Sequence, residues 1–209
     1  MKLIEEMLER EQAPTILKLN RLFSMGYMPS RGDESYKVIH KNTNNETTFL
    51  VNCMAHSCFN LTNQQLAEFD ELDSKNFKQF YWEGEEQSEI YGRILKFVRR
   101  TGLKVERTSL SHSVGKGQWK IAVYFIDRVN DERKKPDFHF ILQEKDGVWS
   151  SKEGSFPYIR YFDIPPKHFI SEFGNHKPYK LHEYLMITNP IAQEKAENFA
   201  NEALQKSQF

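Results

Sequence analysis

A chain of 209 residues is long enough to bury a substantial core within one domain. Its 39% hydrophobic and 13% aromatic content excludes a disordered composition. Lys plus Arg and Asp plus Glu each total 29, so the formal charge is zero, without the basic excess of a dedicated nucleic-acid binder.

The start of the chain reads as helical. Leu3, Ile4, Met7 and Leu8, then Ile16, Leu17, Leu19, Leu22 and Phe23, fall near helical spacing. Pro14 breaks or restarts this helix, Gly26 ends it, and Met28 to Asp33 reads as a loop. The opening residues are acidic where a secretory leader needs a basic start and an apolar run. No apolar stretch approaches the ~20 residues of a membrane span. Two short strands are expected at Tyr36 to His40 and Thr47 to Val51, with Asn44-Asn45 as the turn. Cys53 to Leu61 reads as a short helix. Thr62, with Gln65 three residues on, reads as the cap of another. Ser88 to Arg100 carries Ile90, Ile94, Leu95, Phe97 and Val98 on one helical face.

Beyond Gly102 the period changes. Lys104 to Leu110, Gln118 to Asp127, Asp137 to Glu144, Val148 to Ser150, Tyr158 to Asp163 and Tyr179 to Ile187 read as strands. Asp146-Gly147 marks a hairpin turn. A helix from Ala192 to Lys206 follows Asn189-Pro190. Its Ala192, Ala196, Phe199, Ala200 and Ala203 form an apolar seam. This order of elements predicts an α+β fold with a mainly antiparallel sheet. The expectation is a single domain over 1–209: a helical segment at 1–33, a core at 34–165 and an extension at 166–209 ending in a helix.

Two segments carry residues capable of chemistry. Cys53 and Cys58 are the cysteines, too few for a disulfide framework, which points to a reducing, cytoplasmic setting. Cys53 falls where a strand gives way to a helix. A helix N-terminus favours thiolate over thiol through its exposed amides and dipole. Cys58, near Phe59 and Leu61, reads as buried filler. In the second segment, strand alternation puts Asp137, His139 and Ile141 on one face, with Phe138 and Phe140 on the other. A histidine there has the chemistry of a general base, or of an imidazolium partner to a thiolate. Taken singly, each residue has a plainer reading: a core cysteine, and a histidine bonded to a backbone carbonyl.

Together the segments resemble the NlpC/P60-like branch of the papain-like cysteine peptidases. The matching residues are Asn52-Cys53, then Asp137-Phe138-His139-Phe140, Gly147, Trp149-Ser150, Lys152 and Gly154. The resemblance covers about residues 45 to 160. It implies a papain-like core with Cys53 as nucleophile and His139 as base. Ser151 stands at the third position, which orients the imidazole and where the nearest pattern has histidine. Asp137 and Asp163 are further candidates for that orienting role. The implied function is a cysteine peptidase or amidase acting on a peptide or protein, with no cofactor. The alternative is an inactive fold acting as a protein-binding inhibitor, such as an anti-defence (anti-CRISPR-type) protein of a phage or mobile element. Neither membrane nor nucleic-acid partners are indicated.

Other motifs carry less. Cys53, His56, Cys58 and His139 are zinc-ligand types, but Cys-x2-His-x-Cys is not a standard zinc spacing. Ser113 to Gln118 has glycines and a lysine but lacks phosphate-loop spacing, and it precedes a strand. Lys96 to Arg100 and Arg133 to Lys135 read as solvated charge, interspersed with acids. Phe156 to Phe162 reads as core more than as a base-stacking platform.

Overall fold

The structure is a computed structural model that describes residues 16–28, 41–43, 46–48, 53–59, 86–126, 137–153, 159–171 and 176–206. The readings at Leu3 to Leu8, Pro14, Tyr36 to His40, Asn44-Asn45 and Thr62 lie outside these residues.

Residues 16–24 are helical (α1). A two-strand ladder pairs β1 (Lys41–Thr43) with β2 (Glu46–Thr48). Residues 53 and 54 start a helical turn that continues as a π-helix over Ala55–Phe59. Helix α2 spans Gln87–Arg100 and buries Ile90, Tyr91, Ile94, Phe97 and Val98. Gly102, at φ +89, closes it through a bond from its N–H to Arg99 O at 3.0 Å.

The strands are β3 (Lys104–Thr108), β4 (Gln118–Ile126), β5 (Phe138–Gln143), β6 (Trp149–Lys152), β7 (Ile159–Phe162), β8 (His168–Ile170) and β9 (Pro178–Thr188). They form one antiparallel sheet in the order β3-β9-β4-β5-β6-β7. β3 pairs with Tyr184 to Thr188 of β9, and β8 continues the same edge along Pro178 to Lys180. Helix α3 (Pro190–Lys206) closes the described chain. The fold is therefore α+β with an antiparallel sheet, as the order of elements predicts. Strand β8 had no counterpart in the sequence reading, because three residues are too few to reveal an alternating pattern.

Each face of the sheet has its own core. Toward the helices, Ile121, Val123, Phe125, Phe138, Phe140 and Leu142 pack with α1, α2 and the π turn. On the other face, Ala122, Tyr124, Ile141 and Trp149 pack with Phe169 and Tyr179. β4 is thus buried on both sides, which explains its near-continuous apolar run. One irregularity matters for the site. Opposite Val123 and Tyr124, β9 steps from Glu183 to Leu181, so His182 is an extra, bulged residue. The bulge changes which residues of β9 face which side. Leu185 and Ile187 face the helices, yet Tyr179 and Leu181 face away.

Candidate active site

Cys53 opens the helical turn beneath the sheet and is 8% exposed. It belongs to the helix-side core, which also holds Phe138 and Phe140. Burial pushes its thiol up to about 12, and the nearby Asp137 charge adds to this. Backbone hydrogen bonds from Phe140 and Met54, and the Lys152 charge, pull the other way without winning. Cys58 is likewise raised well above its usual value, by its own burial and by Cys53. Both cysteines are free thiols.

His139 lies on the opposite face. Its ring packs at 5.3 Å from Phe169 and 5.6 Å from Tyr179, two residues of the far-side core. Its Nε2 is 2.7 Å from Ser151 Oγ on the neighbouring strand. Burial lowers its pKa to about 3, with His56 and Lys152 adding to the effect. The imidazole is therefore neutral throughout the physiological range.

The structure brings His139 and Ser151 into direct contact. The register of β5 on β6 explains it, since Ile141 pairs with Ser151 and puts that serine on the face of His139. Cys53 is not brought into this pair. It meets the backbone of Phe140, and among the described residues no hydrogen bond joins its sulfur to the imidazole. Asp137 does not orient His139 either. Its Oδ2 accepts from Lys177 Nζ and from Tyr179 OH (3.0 Å), and its Oδ1 from the Phe138 N–H (2.8 Å). Asp163 is exposed in the bend after β7.

A second buried chain of polar groups went unread in the sequence. His56 Nε2 is 2.9 Å from Ser150 Oγ, and Ser150 donates its hydroxyl to Glu144 Oε1. Serine has one proton to give, so His56 carries hydrogen on Nε2 and donates to Ser150. Burial, with Lys152 adding, lowers His56 to about 3. This order of groups differs from a serine triad, where the carboxylate would bond the imidazole. Its effect is to fasten the π turn to β6 through three buried side chains. The sequence signal was present in Trp149-Ser150-Ser151, but nothing local shows that two adjacent serines serve two histidines on opposite faces.

Lys152 is buried on β6, and burial lowers its pKa to about 8, opposed by Cys53. Among the described residues no group of three His, Cys, Asp or Glu side chains is placed to hold a metal ion. No helix among them is long and apolar enough to cross a membrane. Comparison with protein-family models, with curated proteins and with solved structures finds no match.

Proposed function

We propose that this chain acts by binding a protein partner, on a papain-like arrangement whose cysteine chemistry is not set up. The observation that carries this reading is the separation of Cys53 from His139. The thiol is buried under the helices, the imidazole is packed on the far face, and both are neutral. A nucleophilic cysteine needs thiolate character and access to a carbonyl carbon, and a buried neutral thiol has neither. The outer face of α3 supports contact with a partner: Phe199 is 75% and Leu204 61% exposed.

A second reading, a cysteine peptidase or amidase, is favoured by one specific contact. Ser151 Oγ stands at hydrogen-bond distance from His139, at the third position the resemblance assigns. In that reading Cys53 attacks an amide carbonyl, and His139 first accepts the thiol proton and then delivers it to the leaving amine. Substrate docking would have to bring the sulfur and the imidazole together.

The rate of iodoacetamide alkylation at Cys53, followed by peptide mass spectrometry from about pH 5 to 9, separates the two readings. Binding alone predicts an inert Cys53 across that range, unchanged by His139→Ala. Rapid labelling near pH 6 that disappears in His139→Ala would establish the hydrolase instead.

A further inference from the structure

The far face of the sheet is concave. Each strand in the run β8-β9-β4-β5-β6-β7 is antiparallel to the next, so β7 and β8 run in opposite directions. In a flat sheet β6 and β8 would lie four strand spacings, ~19 Å, apart. Yet Ser171, just past β8, donates its hydroxyl to Oε2 of Glu153, just past β6, at 2.8 Å. Tyr124 OH, on β4, likewise donates to Pro166 O in the link from β7 to β8, at 2.8 Å. The sheet therefore curls toward a barrel.

The barrel does not close. Among the described residues β7 pairs only with β6 and β8 only with β9, so one backbone edge of each faces a seam. A cavity of about 970 Å³ opens there, with Arg160 and Phe162 of β7, Pro166, and Phe169 of β8 in its walls. Side chains alternate along the seam. Phe162 and Phe169 turn inward and join the far-side core, and Arg160 shares their face. Tyr161 and Ile170 turn outward and are 52% and 59% exposed. An added strand would find aromatic surface under its inward residues, and Tyr161 and Ile170 beside its outward ones.

Charge selects the occupant. The lining holds Arg160, His168 and His176 and no acidic side chain. The Phe162 ring supports the Arg160 guanidinium, 4.9 Å from its centre. Glu153 lies 4.0 Å from one guanidinium nitrogen, but its side chain is 5% exposed where that of Arg160 is 36% exposed. A fork of five N–H donors can hold a second carboxylate on its exposed side.

We propose that the seam between β7 and β8 takes up an extended peptide segment of a protein partner. The segment pairs through its backbone with the open edge of β7 and sets an acidic side chain against Arg160. This deepens the partner-binding reading but uses a surface apart from α3 and from Cys53. Its failure would leave that reading in place, and the reactivity of Cys53 does not bear on it.

The test titrates the full chain with the capped peptide Thr-Val-Glu-Val-Thr-Val, with its counterpart carrying Lys for Glu, and with two versions N-methylated on alternate residues. The acidic peptide should shift the backbone amide resonances of β7 and slow their hydrogen exchange. The lysine peptide should bind at least about tenfold more weakly, and at least one N-methylated version should lose binding. Arg160→Gln should weaken the acidic peptide about tenfold, the worth of one charge-assisted contact. Arg160→Glu should reverse the preference between the two charged peptides. The proposal is overturned if the acidic peptide at millimolar concentration leaves the β7 amides unchanged. Binding of both N-methylated versions as tight as the parent, or an unchanged order of peptides in Arg160→Glu, would overturn it too.

Discussion

His139 and His56 are fully buried imidazoles whose pKa values fall from 6.5 to about 3, chiefly through loss of water. A lowered histidine pKa favours the neutral folded form. Its stabilisation is complete above about 6.5 and is lost as pH falls toward 3. At pH 5 each such histidine costs the fold ~2 kcal/mol relative to pH 7. Urea unfolding at pH 7 and pH 5 should show this loss, and His139→Gln should remove about half of it while keeping a polar contact to Ser151. An undiminished loss in His139→Gln would show that His139 does not titrate as described. Cys53 adds a loss at the alkaline end. Its thiol is held protonated to about 12, so stability should fall as pH rises above 9, where the unfolded thiol ionises.

Much at this scale was legible in the chain. Alternation put His139 and Ile141 on one face and the two phenylalanines on the other, and the helix-side and far-side cores divide that way. Ser151, which lies at hydrogen-bond distance from the imidazole, was named only through the resemblance, since the expected strand stopped at Ser150. The placement of Cys53 did not follow. A helix start next to a strand is visible in sequence, but which face of the sheet it covers depends on packing between segments 80 residues or more apart. The His56–Ser150 bond spans 94 positions and was hidden for the same reason.

At the scale of elements, Asn189 joins α3 to the rest of the fold with one side chain. Its Oδ1 accepts from the N–H groups of Ile191 (3.1 Å) and Ala192 (3.3 Å), capping the helix. Its Nδ2 donates to Phe23 O (3.1 Å) and Tyr27 O (2.7 Å) at the end of α1. Asn189→Ala should cost about 2–4 kcal/mol, a lost cap plus two buried carbonyls left unsatisfied. Asn189→Asp is the sharper check. Aspartate caps as well as asparagine, but would set an acceptor against two carbonyls, so thermal denaturation should show a substantial loss there too. A melting temperature unchanged in Asn189→Asp would rule out the bridging role. The sequence marked Asn189-Pro190 as a helix start, and the helix begins at Pro190. It gave no sign of the link to α1. Strict alternation also misplaces Tyr179, because the extra residue at His182 turns it toward His139. A bulge of this kind leaves no mark in a pattern of apolar and polar letters.

Gly117 fixes the other contact of α3. It sits at φ +70, and a Cβ there would come within 2.5 Å of Gln193 N. The turn before β4 and the helix therefore meet backbone to backbone, and no other residue type fits without separating them.

Over the whole molecule, the sheet is organised around β4 and β9. These two pair along nine positions, from Gln118–Thr188 to Ile126–Tyr179. Both are flanked by further strands over much of their length, whereas β7 lies at an edge and β8 is three residues long. Native-state hydrogen exchange should therefore find the slowest amides in β4 and β9, and faster exchange in β7 and β8. Early exchange of β9, ahead of β7, would contradict this order. The α+β class and the antiparallel sheet were readable from element order. The insertion of β9 between β3 and β4 was not, since strand order within a sheet depends on pairings that skip along the chain.

That insertion has a consequence during synthesis. β3 and β4 emerge from the ribosome early, but the strand that joins them is made after every other strand of the sheet. Until it arrives, two open edges of a largely apolar sheet face the cell with nothing to pair with, the state in which nascent chains adhere to one another and recruit chaperones.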